Sequence, residues 1–266
     1  MPNFDTPQPI TAVVEIAAGS IRLVASNRDD TVAEVRPRDE SRPHDVKAAE
    51  QARIDFNNGT LRVTSNRGFA FPRRGAVIVD IALPEGSDLD VSVASAQVRA
   101  DGRYSDCKVA SASGDFSVES VANIKADTAS GAVTADNVKG AAVIDTASGG
   151  ATVGDLDGDM KFRAASGSLI VRRLHGNVNA QTASGDVTVA TAVNGGVSVQ
   201  TASGELVLGI ADGTAAQLDL RTRSGDVRNS LTSSDGPAIG DETLVVHART
   251  ASGDIVVQRA AAEAMS

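Results

Sequence analysis

The sequence has very few aromatic residues: no tryptophan, one tyrosine and six phenylalanines among 266 residues. A core must therefore be built from Val, Ile, Leu, Ala and Thr, which suit thin, regular β-layers. The shortage of aromatics and a formal net charge of −9 also argue against a nucleic-acid partner. Proteins that bind single-stranded nucleic acid stack its bases on aromatic side chains, and contacts to the phosphates need a basic surface.

Cysteine is almost absent as well, since Cys107 is the only one. A single thiol can form neither an intramolecular disulfide nor a thiolate zinc cluster. We therefore expect no disulfide and no structural zinc, and the sequence predicts no metal or cofactor.

Long apolar runs are missing too. No segment approaches the roughly 18 consecutive apolar residues that span a bilayer. Residues 1–5 (MPNFD) open neither a basic region nor an apolar one of the kind found in signal peptides. We therefore expect a soluble, cytoplasmic protein that reaches the cell surface only by a non-classical export route.

What the sequence does contain, from about residue 91, is a repeated tetrapeptide that ends in Ser-Gly and most often reads Thr-Ala-Ser-Gly. We call it the marker. Its glycines are residues 114, 131, 149, 167, 185, 204, 225 and 253, so the spacings are 17, 18, 18, 18, 19, 21 and 28. A short, nearly fixed period without helical periodicity is typical of a solenoid whose coils stack on one another.

Within a repeat, positions two and four after the marker glycine are mostly aliphatic, and positions one and three are mostly polar. This alternation predicts a strand with one buried face, with Val187 inward and Thr188 outward. A second glycine in mid-repeat, such as Gly176, leads into a second alternating run. In a parallel coil each marker would lie about 4.8 Å above the last. The sequence thus predicts an all-β parallel β-solenoid of two-strand coils of about 18 residues.

The marker is absent from residues 1–90, which are predicted to form an N-terminal β-rich cap with one short helix at 46–53. The solenoid repeats are assigned to 91–259 and a tail to 260–266. A polar insertion at 229–241 accounts for the longest marker spacing.

The T-A-S-G-D-V-x-V coil, the A-A-E-Q segment at 48–51 and the D-I-A-L-P-E-G-S turn at 80–87 carry a family resemblance. They resemble the bacterial β-strand-repeat family of unknown function labelled putative adhesin. The resemblance covers essentially the whole chain and implies the solenoid fold without an established activity.

Catalytic and metal-binding patterns are poorly represented. His44, His175 and His247 fall at unrelated places in the chain. Calcium-binding solenoids need acidic ligands in successive turns, but three consecutive coils here carry Ala132, Gly150 and Ser168 after the marker glycine. Other coils have dispersed acids that we interpret as a solvated, charged face; these are Asp115, Asp186, Glu205, Asp226 and Asp254.

These observations predict no catalytic residues and favour a non-catalytic structural or interaction scaffold, adhesin-like in form. Such a scaffold would bind a macromolecule, an unidentified protein partner, or copies of itself. The alternative is a carbohydrate-binding or carbohydrate-active protein on a β-helix, whose groove would combine acids, bases and aromatic side chains.

One segment, R-G-F-A-F-P-R-R-G at 67–75, concentrates two of the seven aromatics with three arginines. It has two interpretations: a hairpin tip whose phenylalanines cover the first coil, or a loop that docks a partner. We expect the arginines to lie in solvent and at least one phenylalanine to be partly buried. The candidate docking residues are Arg67, Phe69, Phe71, Arg73 and Arg74.

Overall fold

The computed structural model describes residues 2–65, 75–232, 236–237 and 240–261. These residues form a strand-rich structure with one helix, in two compact units, Met1–Ala135 and Asp136–Ser266. Their strands pair mostly in parallel, so the predicted parallel β-solenoid is confirmed. The predicted cap and solenoid boundary at residues 90/91 differs from this division and stays a prediction.

The first unit stacks its coils in an order that differs from the sequence. Strand β2 pairs in parallel with β5 and β6 along one edge and with β7 along the other, so β2 lies between later coils. β7 then pairs in parallel with β8. The elements are β1 (Asn3–Asp5), β2 (Thr11–Ser26), β3 (Asp30–Pro37), α1 (Pro43–Glu50), β4 (Arg53–Asn57), β5 (Thr60–Thr64), β6 (Val77–Pro84), β7 (Ser87–Ser113) and β8 (Phe116–Ser130).

Antiparallel strands cover the N-terminal edge of this unit. β3 pairs antiparallel with β6 and β4 with β5, while β1 adds to β3. The rings of Phe4 and Phe56 stack there with centroids 5.1 Å apart. The antiparallel strands and the aromatic pair thus cover β5 and β6, whose outer edges would otherwise expose unpaired main-chain groups.

The helix of the cap exists but begins and ends earlier than predicted. α1 spans Pro43–Glu50 rather than 46–53. Proline is well tolerated in the first helical turn because its missing N–H has no helical partner there, so the helix begins at Pro43. Arg53 instead opens β4 and pairs with Thr64, so strand pairing determines where the helix must end.

The second unit stacks long strands in parallel, and β9 crosses the boundary between the units. Leu169 lies opposite Val187 and Val187 opposite Leu206, which are offsets of one repeat. Each long strand runs through the mid-repeat glycine and is interrupted only at the marker, as in β12. The elements are β9 (Val133–Val138), β10 (Ala141–Ser148), β11 (Ala151–Ser166), β12 (Leu169–Ser184), β13 (Val187–Ser203), β14 (Leu206–Ile210), β15 (Thr214–Ser224), β16 (Val227–Asn229), β17 (Glu242–Ser252) and β18 (Ile255–Arg259).

The last coils of this unit are also out of sequence order. β17 pairs with β13 on one side and with β15 on the other. β18 likewise pairs with β14 and with β16. The C-terminal strands β17 and β18 therefore lie between two coils that precede them in sequence. The spacing of 28 to the last marker reflects this crossover as well as the polar insertion.

The core confirms the predicted inward register. Val187 and Val189 are at most 1% exposed, and the equivalent residues of the other predicted coils are at most 2% exposed. The marker threonines Thr182, Thr201 and Thr250 are also buried and stack on one another in consecutive coils. Their hydroxyl groups have no hydrogen-bond partner within the described ranges, which is costly for a buried polar group.

We expect Thr201→Val to stabilise the protein by about 1 kcal/mol, because the swap keeps the side-chain shape and removes an unsatisfied hydroxyl. Thr222→Val is the matched control, since the Thr222 hydroxyl donates a hydrogen bond to the Gly253 carbonyl oxygen at 3.1 Å. Urea unfolding of both variants measures the difference. Equal changes would show that the Thr201 hydroxyl is satisfied in solution.

The segment containing Arg67, Phe69, Phe71, Arg73 and Arg74 lies outside the described residues. The strands on either side of it are described: β5 and β6 both run parallel to β2. Whether its side chains cover the coil or dock a partner stays a prediction.

Candidate interaction surface

The marker glycines stack into a corner where an added side chain would clash with the main chain of the neighbouring coil. A Cβ atom on Gly253 would lie 2.1 Å from the Gly204 carbonyl oxygen, and one on Gly131 would lie 2.2 Å from that of Gly114. Main-chain hydrogen bonds also link neighbouring coils at this corner: the Gly204 N–H donates to the Ser252 carbonyl oxygen at 3.1 Å. The contact is made by the serine carbonyl, while the serine side chains are exposed.

The acids that follow the marker have a structural role that the sequence did not reveal. The Asp186 carboxylate accepts the Glu205 N–H at 2.8 Å, and the Asp254 carboxylate accepts the Asp226 N–H at 2.9 Å. Asp115 accepts the Ala132 N–H in the same way. Each carboxylate thus reaches the equivalent corner of the neighbouring coil. A recurring Asp at one repeat position was the signal for this role.

Removing one of these carboxylates should loosen the corner. We expect Asp186→Ala to lower the free energy of unfolding by about 1 kcal/mol, as is typical for losing a carboxylate that caps a main-chain N–H. Asp186→Asn keeps an acceptor oxygen and should cost clearly less. Paired thermal and urea denaturation tests this, and equal losses for the two variants would rule out the capping role.

Between the corners, the outward positions three residues after the marker glycine form a column of β-branched residues. The pairing registers place Ile170 between Thr152 and Thr188, and Val207 between Thr188 and Val256. Ile170 is 42% exposed, the others are half-buried, and small or polar residues flank them. We call this row of five residues the β-branched column. It is a flat face that donates no side-chain hydrogen bonds except through threonine.

A cleft of about 270 Å³ lies beside this column, lined by Asp136, Asn137, Gly154, Asp155, Arg172 and Arg173. Its charges neutralise one another: Arg172 lies 3.6 Å from Asp136, and Arg173 lies 3.9 Å from Asp155. Arg172 and Asp136 reach each other across Gly154. The cleft combines acids and guanidinium groups, but its lining has no aromatic side chain on which a sugar ring could stack.

A family model described as Toastrack DUF4097 matches residues 13–258. The chain belongs to this family. No curated protein matches the sequence.

Solved structures are similar to the Toastrack chain at low sequence identity. A putative lipid binding protein from Parabacteroides distasonis is 12% identical, with 95% of each chain covered and a TM-score of 0.50. A putative adhesin from Bacteroides fragilis is 11% identical, with 97% of this chain and 95% of that chain covered and a TM-score of 0.41. At 12% identity the likeness to the Parabacteroides protein concerns the fold alone.

The histidines of this Toastrack chain are separated in the structure. His44 lies in α1. His175 shares a register position with Asp157 and Asn194, whereas His247 lies opposite Asp219 and 3.7 Å from its carboxylate. Across the described ranges, no three His, Cys, Asp or Glu side chains are grouped closely enough to hold a metal ion. No helix in that part of the chain is long and apolar enough to cross a membrane.

Cys107 is buried in β7 at 1% exposure. Burial, aided by the nearby Asp88 and Asp106 carboxylates, raises the pKa of its thiol to about 12. Burial also raises the pKa of Tyr104, on the same strand. The reactive thiolate is therefore disfavoured in the folded protein, which suits a residue that serves the core.

We expect Cys107 to resist a thiol reagent at pH 8 until the protein unfolds. The folded state holds the thiol proton more tightly than the unfolded state, so the protonated thiol contributes to the free energy of unfolding. This contribution is complete at neutral pH. It is lost as the pH rises above the thiol's ordinary pKa and towards 12. Urea unfolding at increasing alkaline pH, with Cys107→Ala as the control, measures the loss. Rapid labelling of the native protein would contradict the assigned burial.

Proposed function

We propose that this protein is a non-catalytic interaction scaffold that binds a protein partner through its regular sheet faces. The observation that carries the proposal is how its polar groups are used. Asp115, Asp186 and Asp254 hold neighbouring coils together, and the acids of the cleft are paired with arginines. The β-branched column, by contrast, presents an exposed Ile170 on a flat face.

A flat face of this kind suits a macromolecule better than a small molecule. Small-molecule sites are concave and bury most of their ligand, whereas protein interfaces can be flat with an apolar centre and a polar rim. The β-branched column and its polar neighbours have the latter composition. The family membership and the similar folds fit this proposal and do not name the partner.

Site-specific photo-crosslinking tests the proposal. A photoreactive residue at Ile170 reports on the β-branched column, and one at Asn179 reports on another exposed position of the same strand, β12. In extracts of the source cell, we expect position 170 to yield a discrete crosslinked protein that position 179 does not. Ile170→Lys should abolish binding of the purified partner, while Asn179→Lys should leave it unchanged.

The alternative of a carbohydrate-active or carbohydrate-binding protein makes different demands. It requires turnover or binding of a polysaccharide that depends on the cleft, so Asp155→Asn and Arg173→Gln would abolish the signal without changing stability. Incubation with a panel of acidic and neutral polysaccharides measures this. Cleft-dependent turnover, or equal crosslinking from positions 170 and 179, would overturn the scaffold proposal.

A further inference from the structure

The last coil in the stack of the second unit, formed by β15 and β16, has one edge without a strand partner among the described residues. Within the described ranges, β15 pairs only with β17, and β16 only with β18. A strand has two edges, so one edge of each has no strand partner among the described residues. Natural proteins cover or block such edges, because they invite pairing with another chain.

The core positions of this coil are uncovered as well. Leu218 and Leu220 are half-buried, whereas their register partners in β17, Val246 and Ala248, are at most 1% exposed. Val227 of β16 is 45% exposed, whereas its partner Ile255 is 1% exposed. The edge thus combines unpaired main-chain groups with apolar side chains, which is the composition of an interface centre.

The charges on β15 indicate what fits this edge. Asp219 and Arg221, the residues before and after the core position Leu220, lie on the outward face. The Arg221 guanidinium donates to the Asp219 carboxylate at 3.0 Å. If a second β15 runs antiparallel with Leu220 opposite Leu220, each Asp219 faces Arg221 of the other copy. Centring the pair on Asp219 would oppose two aspartates, and centring it on Arg221 would oppose two arginines while placing Asp219 opposite Arg223, so each of these registers opposes like charges. The register centred on Leu220 pairs Asp219 with Arg221 twice, opposes no like charges and places leucine against leucine.

The N-terminal edge of the first unit differs from this edge, because β4 and β3 pair antiparallel there with β5 and β6. An isologous contact, in which the same edge is used by both copies, closes without forming a fibre. We propose that two copies of this chain associate through β15, antiparallel and centred on Leu220. This inference goes beyond the proposed binding of a protein partner through the sheet faces and adds self-association through a strand edge.

Charge reversal with rescue tests the interface. Sedimentation equilibrium of the full chain at pH 8 should show a monomer–dimer equilibrium that weakens with added salt. Arg221→Asp places aspartates opposite each other twice and should raise the dissociation constant at least tenfold, an order-of-magnitude expectation for repulsion at an interface. The double variant Asp219→Arg/Arg221→Asp exchanges the two charges and should restore dimerisation.

A matched control lies on β7, where the Arg99 guanidinium donates to the Asp101 carboxylate at 2.7 Å. That strand pairs with β2 on one side and β8 on the other, so Arg99→Asp should leave the dissociation constant unchanged.

A chain that is monomeric at all concentrations, or a dimer unaffected by Arg221→Asp, overturns the inference. So does a double variant that fails to recover. A monomer that still crosslinks a partner from Ile170 refutes only the dimer, whereas a dimer with cleft-dependent turnover refutes only the scaffold function.

Discussion

Val187→Asp should unfold the second unit at room temperature or lower its free energy of unfolding by about 4 kcal/mol or more. Val187 is 1% exposed and lies between Leu169 and Leu206 of the neighbouring coils, which are equally enclosed. A carboxylate there has no cation or donor to meet it. It must either be buried as an unpaired charge or take up a proton at the cost of a strongly raised pKa.

The neighbouring outward position provides the control. Thr188 lies one residue further on the same strand, in the β-branched column, so Thr188→Asp keeps its carboxylate in water and should cost less than about 1 kcal/mol. Val187→Thr, a milder change, keeps the comparison measurable if the aspartate variant does not fold. Urea midpoints followed by far-UV circular dichroism decide the matter. Similar midpoints for the two aspartate variants would show that the assignment of inward and outward residues is shifted by one residue.

Gly253→Ala is expected to have the second largest effect, a loss of about 3 kcal/mol or more. The added methyl group would lie 2.1 Å from the Gly204 carbonyl oxygen, and Gly253 has a φ of +141°, which side-chain-bearing residues rarely adopt. The neighbouring coil cannot withdraw without weakening the main-chain hydrogen bonds of the marker. Steric overlap and backbone strain therefore add at this position.

Gly213 separates these two causes. It has a φ of +77°, but a Cβ atom there would meet no heavy atom within 4 Å. Gly213→Ala should therefore cost only the backbone strain, about 1 kcal/mol. Calorimetric melting of both variants gives the comparison. A Gly253→Ala protein as stable as the Gly213→Ala protein would mean that the coils at the marker lie further apart than described.

The coil could be predicted from sequence because its determinants are local. Alternation along one strand identifies the inward residues, and a glycine every 18 or so residues marks where neighbouring coils come closest. Val187 and Thr188 were assigned correctly on this basis. The helix limits were less predictable. Arg53 is a good helix former, but it lies in β4 because it pairs with Thr64 of β5.

The order of the coils could not be predicted in the same way. The markers at Ser224 and Ser252 are nearly identical in sequence, and both would fit against Ser203. The structure places Ser252 against Ser203 and Ser224 beyond it. The marker spacing does not distinguish between the two stacking orders, because the order depends on how residues far apart in sequence pack together. The hydrogen-bonding role of Asp186 was missed for a related reason, because its partner belongs to another coil.

The insertion of β17 and β18 between earlier coils has a consequence for how the chain is made. During synthesis, residues 214–229 leave the ribosome before residues 242–259, yet the edge of β13 and β14 belongs to the later segment. The earlier segment carries the same marker and can pair there first, so the nascent chain has a competing partner for that edge. If β15 and β16 paired there first, they would have to give way to the last strands synthesised before the native stack could form. The stack therefore offers one edge to two of the chain's own repeats, a choice that does not arise in a solenoid stacked in sequence order.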